Sequence, residues 1–242
     1  MSSPQFIEDS KLVQFDAPTH KYTINGKELI STTTFIDLFK EKFDESGALL
    51  KKCALKEGVS ERVLKKRWND KGDKARKIGH KIHECIENYL KTGKIKKNKY
   101  TPLVNEFSKL KFKGKLFSEV RLFDESLLIS GTSDLVQIID DKMVQVHDLK
   151  SNEKCPTDYS FGKMMKYPIQ HLPAGKIILY ELQISLYLYL LSSKYGYQIG
   201  PNNFIFWTDR KKNEIKQIPV TLRIEEITDM IAYYSYQKSL IF

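Results

Sequence analysis

The pattern of apolar and polar positions divides the chain near Gly114. Before it, apolar residues recur at helical spacing. Phe35, Leu38 and Phe39 follow the hydroxyl run Ser-Thr-Thr-Thr at 31–34, which suits a helix start. A long basic helix is expected over about 60–90, with Gly72 and Gly79 as candidate breaks, and Pro102 suits the first turn of a helix reaching about Leu110. Ahead of these, two short runs flank Asn25-Gly26, a strong two-residue hairpin signal.

After Gly114 the runs 117–123, 127–139 and 143–149 are rich in Val, Ile, Leu and Phe, with turn residues at 124–126 and 140–142. They predict an antiparallel three-strand meander. Residues 151–175 carry Pro156, Pro168 and Pro173 and read as a long loop. An apolar helix is expected over 179–194, stopped by Gly196, then strands at 203–208 and 214–220 and a final helix at 225–238. The expected class is α/β, a central mixed β-sheet with the antiparallel three-strand meander, flanked by helices. With no repeat or linker, one domain is expected over 1–242: a mainly helical part at 1–115, and the sheet with its helices at 116–242.

Composition narrows the partners. The chain is 41% hydrophobic and 12% aromatic, enough for a substantial core, yet 40 Lys and Arg against 30 Asp and Glu leave a formal charge of +10. That excess favours a polyanion, nucleic acid above all, although a basic solvated surface alone would give the same count. Cys53, Cys85 and Cys155 lack CxxC spacing, so neither a zinc ribbon nor a disulfide framework is indicated. The first residues lack a secretory pattern, and the apolar stretch at 182–191 is too short and too interrupted to span a bilayer. A soluble, intracellular protein (cytoplasm or host cytoplasm) is expected, without membrane contact or a small-molecule cofactor.

The candidate chemistry lies in the meander. Asp148 and Lys150 are two apart on one strand and share a face. If the neighbouring hairpin turns near Asp141, Asp134 lies opposite Asp148, seven residues to either side. Two carboxylates this close repel unless a cation separates them, and oxygen ligands suit Mg²⁺ or Mn²⁺. A cross-strand salt bridge would use the same residues. The apolar flanks Leu135, Val136, Ile138, Val144 and Val146 count against it, because burying unpaired acids is costly. On the basic helix His83 and Glu87 share a face; His83 is a candidate ligand, while Glu87 has Lys91 within reach. Gln183 and Tyr187 have the same spacing on the apolar helix.

Taken in order, Gly79-x-x-x-His83, Gly131-x-x-Asp134, Asp148-x-Lys150 and Gln183-x-x-x-Tyr187 resemble the RecB-like branch of the PD-(D/E)xK nucleases. The hydroxyl run at 31–34, Trp68 and Glu119 are similar to its mitochondrial genome maintenance and viral or phage exonucleases. The resemblance implies a restriction-endonuclease-like core. It implies metal ligation by His83, Asp134, Asp148 and the Leu149 backbone carbonyl, and a catalytic role for Lys150. Gln183 would support the site, Tyr187 would contact substrate, and Glu119 and Glu87 would be secondary. No iron–sulfur cluster is expected, since its four cysteines are missing.

On the substrate side, Lys74, Arg76 and Lys81 lead along the basic helix to His83, with Trp68 available to stack on bases, or to pack the helix against the sheet. The expected function is a metal-dependent DNA exonuclease, acting on single strands or ends in replication, recombination or repair. An endonuclease of the same fold and a non-catalytic nucleic-acid-binding protein remain alternatives.

Overall fold

The computed structural model describes residues 3–41, 47–160 and 162–240; Phe161, within the expected long loop, lies outside the described residues. In chain order the elements are α1 (Gln5–Ser10), β1 (Gln14–Asp16), β2 (Lys21–Ile24), β3 (Lys27–Ser31), α2 (Thr32–Leu38), α3 (Ala48–Glu57), α4 (Glu61–Thr92) and α5 (Thr101–Ser108). There follow β4 (Lys115–Asp124), β5 (Ile129–Ile138), β6 (Met143–Lys150), α6 (Lys176–Tyr195), β7 (Gln198–Ile199), β8 (Phe204–Asp209), β9 (Glu214–Pro219) and α7 (Ile224–Ser239).

Local chemistry explains many of the boundaries. Asn25 and Gly26 both take positive φ, 49° and 76°, the turn geometry that matches strand twist, and β2 pairs antiparallel with β3 across them. Ser31 caps α2 by accepting the Thr34 N–H at 3.0 Å. Ser60 caps α4, which then runs unbroken for 32 residues. Gly72 and Gly79 therefore do not break it, contrary to the sequence expectation. The side chains Ile82 and Ile86 anchor the C-terminal half of the helix in a core with Leu103, Val104, Phe107, Leu135, Leu149 and Phe206, and that packing outweighs the modest cost of a helical glycine.

The strands form one nine-stranded mixed sheet. Its main path is β1-β2-β3-β5-β6-β8-β9, with β4 on the other edge of β5 and β7 beside β6. β5 pairs antiparallel with β4 and β6, whereas β3–β5 and β6–β8 are parallel. α6 packs on one face through Ile184, Tyr187, Leu188 and Leu191 against Val120, Leu122, Val136, Val144, Val146 and Ile205. α4 and α5 cover the other face. The described residues of 151–175 form no helix or strand beyond a single Met164–Pro173 bridge, yet Met165, Ile169 and Leu172 are buried beside α2, α6 and α7. It is packed down rather than looped out. Among the described residues no helix is long and apolar enough to cross a membrane.

Two features of β5 create a cleft. β4 lines one edge of β5 for its whole length, while the other edge is shared: β3 pairs at Ile129 and Ser130, and β6 at 135–138. Residues 131–134 therefore lie in a fork where β3 and β6 have parted. The alternation of faces also slips there. A Cβ on Gly131 would stand 2.8 Å from the Tyr187 hydroxyl, so Gly131 faces α6, and so does Val136, five positions on. An odd interval on one face requires one break in the period of two. β4 slips in step, since Phe117 and Val120 both pack into the α6 cluster with Glu119 between them at φ 53°. A left-handed glutamate costs about 1–2 kcal/mol, and such strain gathers where a side chain must be re-aimed.

Candidate metal centre and nucleic-acid interface

The register that pairs Ser118 with Leu135 and Val120 with Ser133 sets Glu119 across from Asp134. The register that pairs Leu135 with His147 carries on to set Asp134 across from Asp148. At the fork the ladder gives way to side chains. Asp134 Oδ2 accepts the Leu149 backbone N–H at 2.7 Å, so a carboxylate replaces the missing strand partner.

From the α4 side His83 reaches the same point. Its Nε2 is 3.0 Å from the Leu149 carbonyl oxygen, and its Nδ1 is 3.5 Å from Asp134 Oδ1 and 3.7 Å from Glu119 Oε1. His83, Glu119 and Asp134 each offer a ligand atom within 4.8 Å of the others, and this group could hold a metal ion. Burial works against a charged His83, yet the Asp134 and Glu119 carboxylates outweigh it and raise its pKa to about 9. The cluster draws in positive charge.

Asp148 and Lys150 form a second, drier pair beside it. Asp148 is 2% exposed, and its Oδ2 lies 2.6 Å from Lys150 Nζ. The contact is an ion pair without hydrogen-bond alignment, and among the described residues Oδ2 has no hydrogen-bond partner. Burial pushes the Asp148 carboxyl up, with the Lys150 ammonium opposing. Burial would likewise discharge Lys150, but Asp148 and Asp134 outweigh it and hold the amine protonated well above the usual lysine range. The Tyr180 ring lies 4.6 Å from the ammonium, and its hydroxyl donates to Asn152 Oδ1 at 3.0 Å. Held as an ammonium between Asp148 and Asp134, Lys150 is suited to stabilising anionic oxygen.

The donor set fits a divalent cation. One imidazole nitrogen and two carboxylate oxygens are ordinary metal ligands, and they lie close enough together to share one ion. Two ligands implied by the family resemblance are arranged differently. The Leu149 carbonyl meets His83 Nε2, orienting the ring, and Asp148 is committed to Lys150. Glu119, expected to be secondary, stands in the central group instead; its signal was an acid between Phe117 and Val120 in the first strand of the meander.

The remaining candidates divide. Gln183 is half-buried and donates to the Tyr187 hydroxyl at 3.4 Å. Tyr187, expected to touch DNA, is 2% exposed, and its hydroxyl donates to the Thr132 carbonyl at 2.8 Å and meets Thr32 Oγ1 at 3.0 Å. It braces the open edge of β5 from within the core. Trp68 packs with Leu50, Ala54 and Leu64, between α3 and α4 rather than against the sheet. Glu87 pairs with Lys91, away from the cluster. Arg76 pairs with Asp73 and Lys81 with Glu84. At about 100° per residue, Arg76 lies in the same stripe of α4 as His83, whereas Lys74 and Lys81 point about 180° away. Those two lysines do not line the cleft, and the helical spacing alone would have said so. Tyr180 and Asn152 were not among the sequence candidates, whereas Thr32 lay within the hydroxyl run at 31–34; Tyr180 lies one turn before Gln183 on the same face of α6 and was accessible to the same argument.

No family model matches the chain, and no curated protein matches its sequence. Among solved structures, a protein from Eubacterium rectale provisionally named an exonuclease is similar with a TM-score of 0.42 and 11% identity, over 66% of this chain. The match covers 65% of that protein, less than two thirds of its length.

Proposed function

We propose that this chain is a metal-dependent nuclease that hydrolyses DNA phosphodiester bonds, a single domain with a restriction-endonuclease-like core. One observation carries the reading. At the fork of the sheet a group able to hold a metal ion, His83, Glu119 and Asp134, stands next to a buried Lys150 ion-paired to Asp148. A structural salt bridge needs neither the strained Glu119 nor a second ion pair beside it.

When bound, Mg²⁺ or Mn²⁺ would supply positive charge to a non-bridging phosphate oxygen and lower the pKa of water beside it. Asp134 and Glu119 hold the negative charge that attracts the ion, and the Leu149 carbonyl fixes the His83 ring so that Nδ1 faces them. Lys150, held by Asp148 and the Tyr180 ring, presents a cation to the charge that builds on phosphate oxygen as water adds to phosphorus and the ester oxygen leaves. The family resemblance favours exonucleolytic action on single strands or ends.

The test is incubation with 5′- and 3′-labelled single- and double-stranded DNA in Mn²⁺ or Mg²⁺. Shortened products are expected from wild-type protein and none with EDTA or with Asp134→Asn. Intact substrate in every metal, or equal cleavage in EDTA, would overturn the reading.

A further inference from the structure

The lysines of α4 that face away from the cleft build a groove of their own. Lys74, Lys77 and Lys81 follow one another on the side of the helix about 120–180° from His83, above the half-buried Ile78. The opposite wall is Lys99 and Tyr100, from the link that precedes α5. Together with Asp70 and Asp73 these residues enclose about 490 Å³.

The link is held in shape. Asn98 Oδ1 accepts the Tyr100 N–H at 2.7 Å, the Thr101 hydroxyl accepts the Asn98 N–H at 2.8 Å, and Asn98 Nδ2 donates to Cys85 Sγ on α4 at 3.4 Å. Lys99 Nζ then lies 4.9 Å from the Tyr100 ring. The groove therefore has a fixed aromatic wall, an apolar floor and a row of ammonium groups. Its acids weigh less than its lysines. Asp73 is engaged by Arg76 from outside the groove, Asp70 stands at the end farthest from Lys81, and although Lys81 pairs with Glu84, Lys74, Lys77 and Lys99 still leave the groove basic.

We infer that this groove is a second binding site for a single-stranded polynucleotide, separate from the cleft, gripping a stretch of strand away from the phosphate to be cut. Phosphates in series match the row of lysines, whose positions climb by about 4.5 and 6 Å along the axis. Ile78 and the Tyr100 ring, once Lys99 swings from the ring to a phosphate, suit a base or sugar, the combination on which single-strand binding relies. A compact anion would use one or two of the lysines and leave the aromatic wall idle. The identity of the polyanion rests on the nuclease reading. The site itself does not, because a helix about 10 Å thick separates groove from cleft, and only a strand long enough to pass around α4 can occupy both.

Length dependence is therefore the readout. Binding of fluorescein-labelled dT oligomers is measured in EDTA, where cleavage plays no part, using a hexamer and an oligomer four times as long. Wild-type protein is expected to bind the longer strand at least tenfold more tightly. Lys77→Glu/Lys99→Glu is expected to remove that advantage and to lower the salt dependence for the long strand by about 1.4 in log–log slope, the value for two phosphate contacts on a single strand. The exposed pair Lys113→Glu/Lys142→Glu, just before β4 and in the turn between β5 and β6, makes the same charge change and is expected to keep the advantage. The inference is overturned if wild-type binding is independent of length, if Lys77→Glu/Lys99→Glu keeps the advantage, or if the control pair loses as much. A chain that binds by length yet never cuts would leave this site standing and remove the nuclease reading.

Discussion

Asp134 accepts the backbone N–H of Leu149 at 2.7 Å, at the point where β5 and β6 cease to pair as strands. One carboxylate thus closes the ladder with Oδ2 and turns Oδ1 toward His83. Structural and chemical duties fall on different oxygens, so they can be separated.

Asp134→Asn is the substitution that separates them. The amide oxygen still accepts from Leu149, but the negative charge is gone. Stability should change by less than about 1–2 kcal/mol, measured by urea unfolding, while cleavage should fall roughly a hundredfold or more. A variant that stays active would remove Asp134 from the chemistry.

Glu119 and Asp148 are expected to differ as metal ligands. Mn²⁺ at a hundred times its Kd should stabilise wild-type protein by about 2.7 kcal/mol, seen as a rise in Tm. Glu119→Gln should abolish that rise. Asp148→Asn should keep most of it and still lose cleavage, because Lys150 is left without its anchor. The opposite result would restore Asp148 as a ligand and demote Glu119.

His147 should make stability sensitive to acid. It is 2% exposed; its Nε2 meets Gln137 Oε1 at 2.8 Å, its Nδ1 accepts the Phe204 N–H at 3.2 Å, and the ring stacks on Phe204. One tautomer of the neutral ring satisfies both bonds. Burial lowers its pKa to about 4, against about 6.5 in the unfolded chain. The unfolded state therefore binds the extra proton between these values, and stability is full above about 6.5 and falls as pH drops toward 4, by about 3 kcal/mol. His147→Gln should flatten that part of the curve of unfolding free energy against pH; an unchanged slope would assign it to other groups.

Gly131→Ala tests the packing beneath the fork. Its Cβ would stand 2.4 Å from Thr32 Oγ1 and 2.8 Å from the Tyr187 hydroxyl. Overpacking of this kind costs about 1–3 kcal/mol, and displacing Tyr187 also loosens its bond to the Thr132 carbonyl. Lower stability together with weaker Mn²⁺ binding is expected from denaturation and titration. Lower stability with unchanged Mn²⁺ affinity would show that the brace does not position Asp134.

Periodicity and turn chemistry located elements whose causes are local: the Asn25-Gly26 hairpin, the Ser31 cap, the helices around His83 and Gln183, and strands β8 and β9. They also placed Asp148 and Lys150 on one face and Asp134 across from Asp148, because strand geometry and the turn near Asp141 fix that register. Less of the helical first third was legible. α1, β1 and α3 are short and owe their existence to the surfaces they cover: Phe6 to the α6 cluster, Leu50 and Ala54 to Leu64. Trp68 followed the same rule, since only its neighbours decide whether an indole packs or stacks.

By itself, then, the sequence determined which residue types could meet: an acid on β5, an Asp-x-Lys on β6, a histidine on a long basic helix. Local geometry sufficed for that, since strand alternation and helical pitch act within a few residues. Only the tertiary structure decided which of them share a centre. The parting of β3 from β6, the coupled slip at Glu119 and Asp134, and the approach of α4 to Leu149 bring together groups up to 66 residues apart, and such contacts depend on how sheet and helices pack rather than on any local pattern.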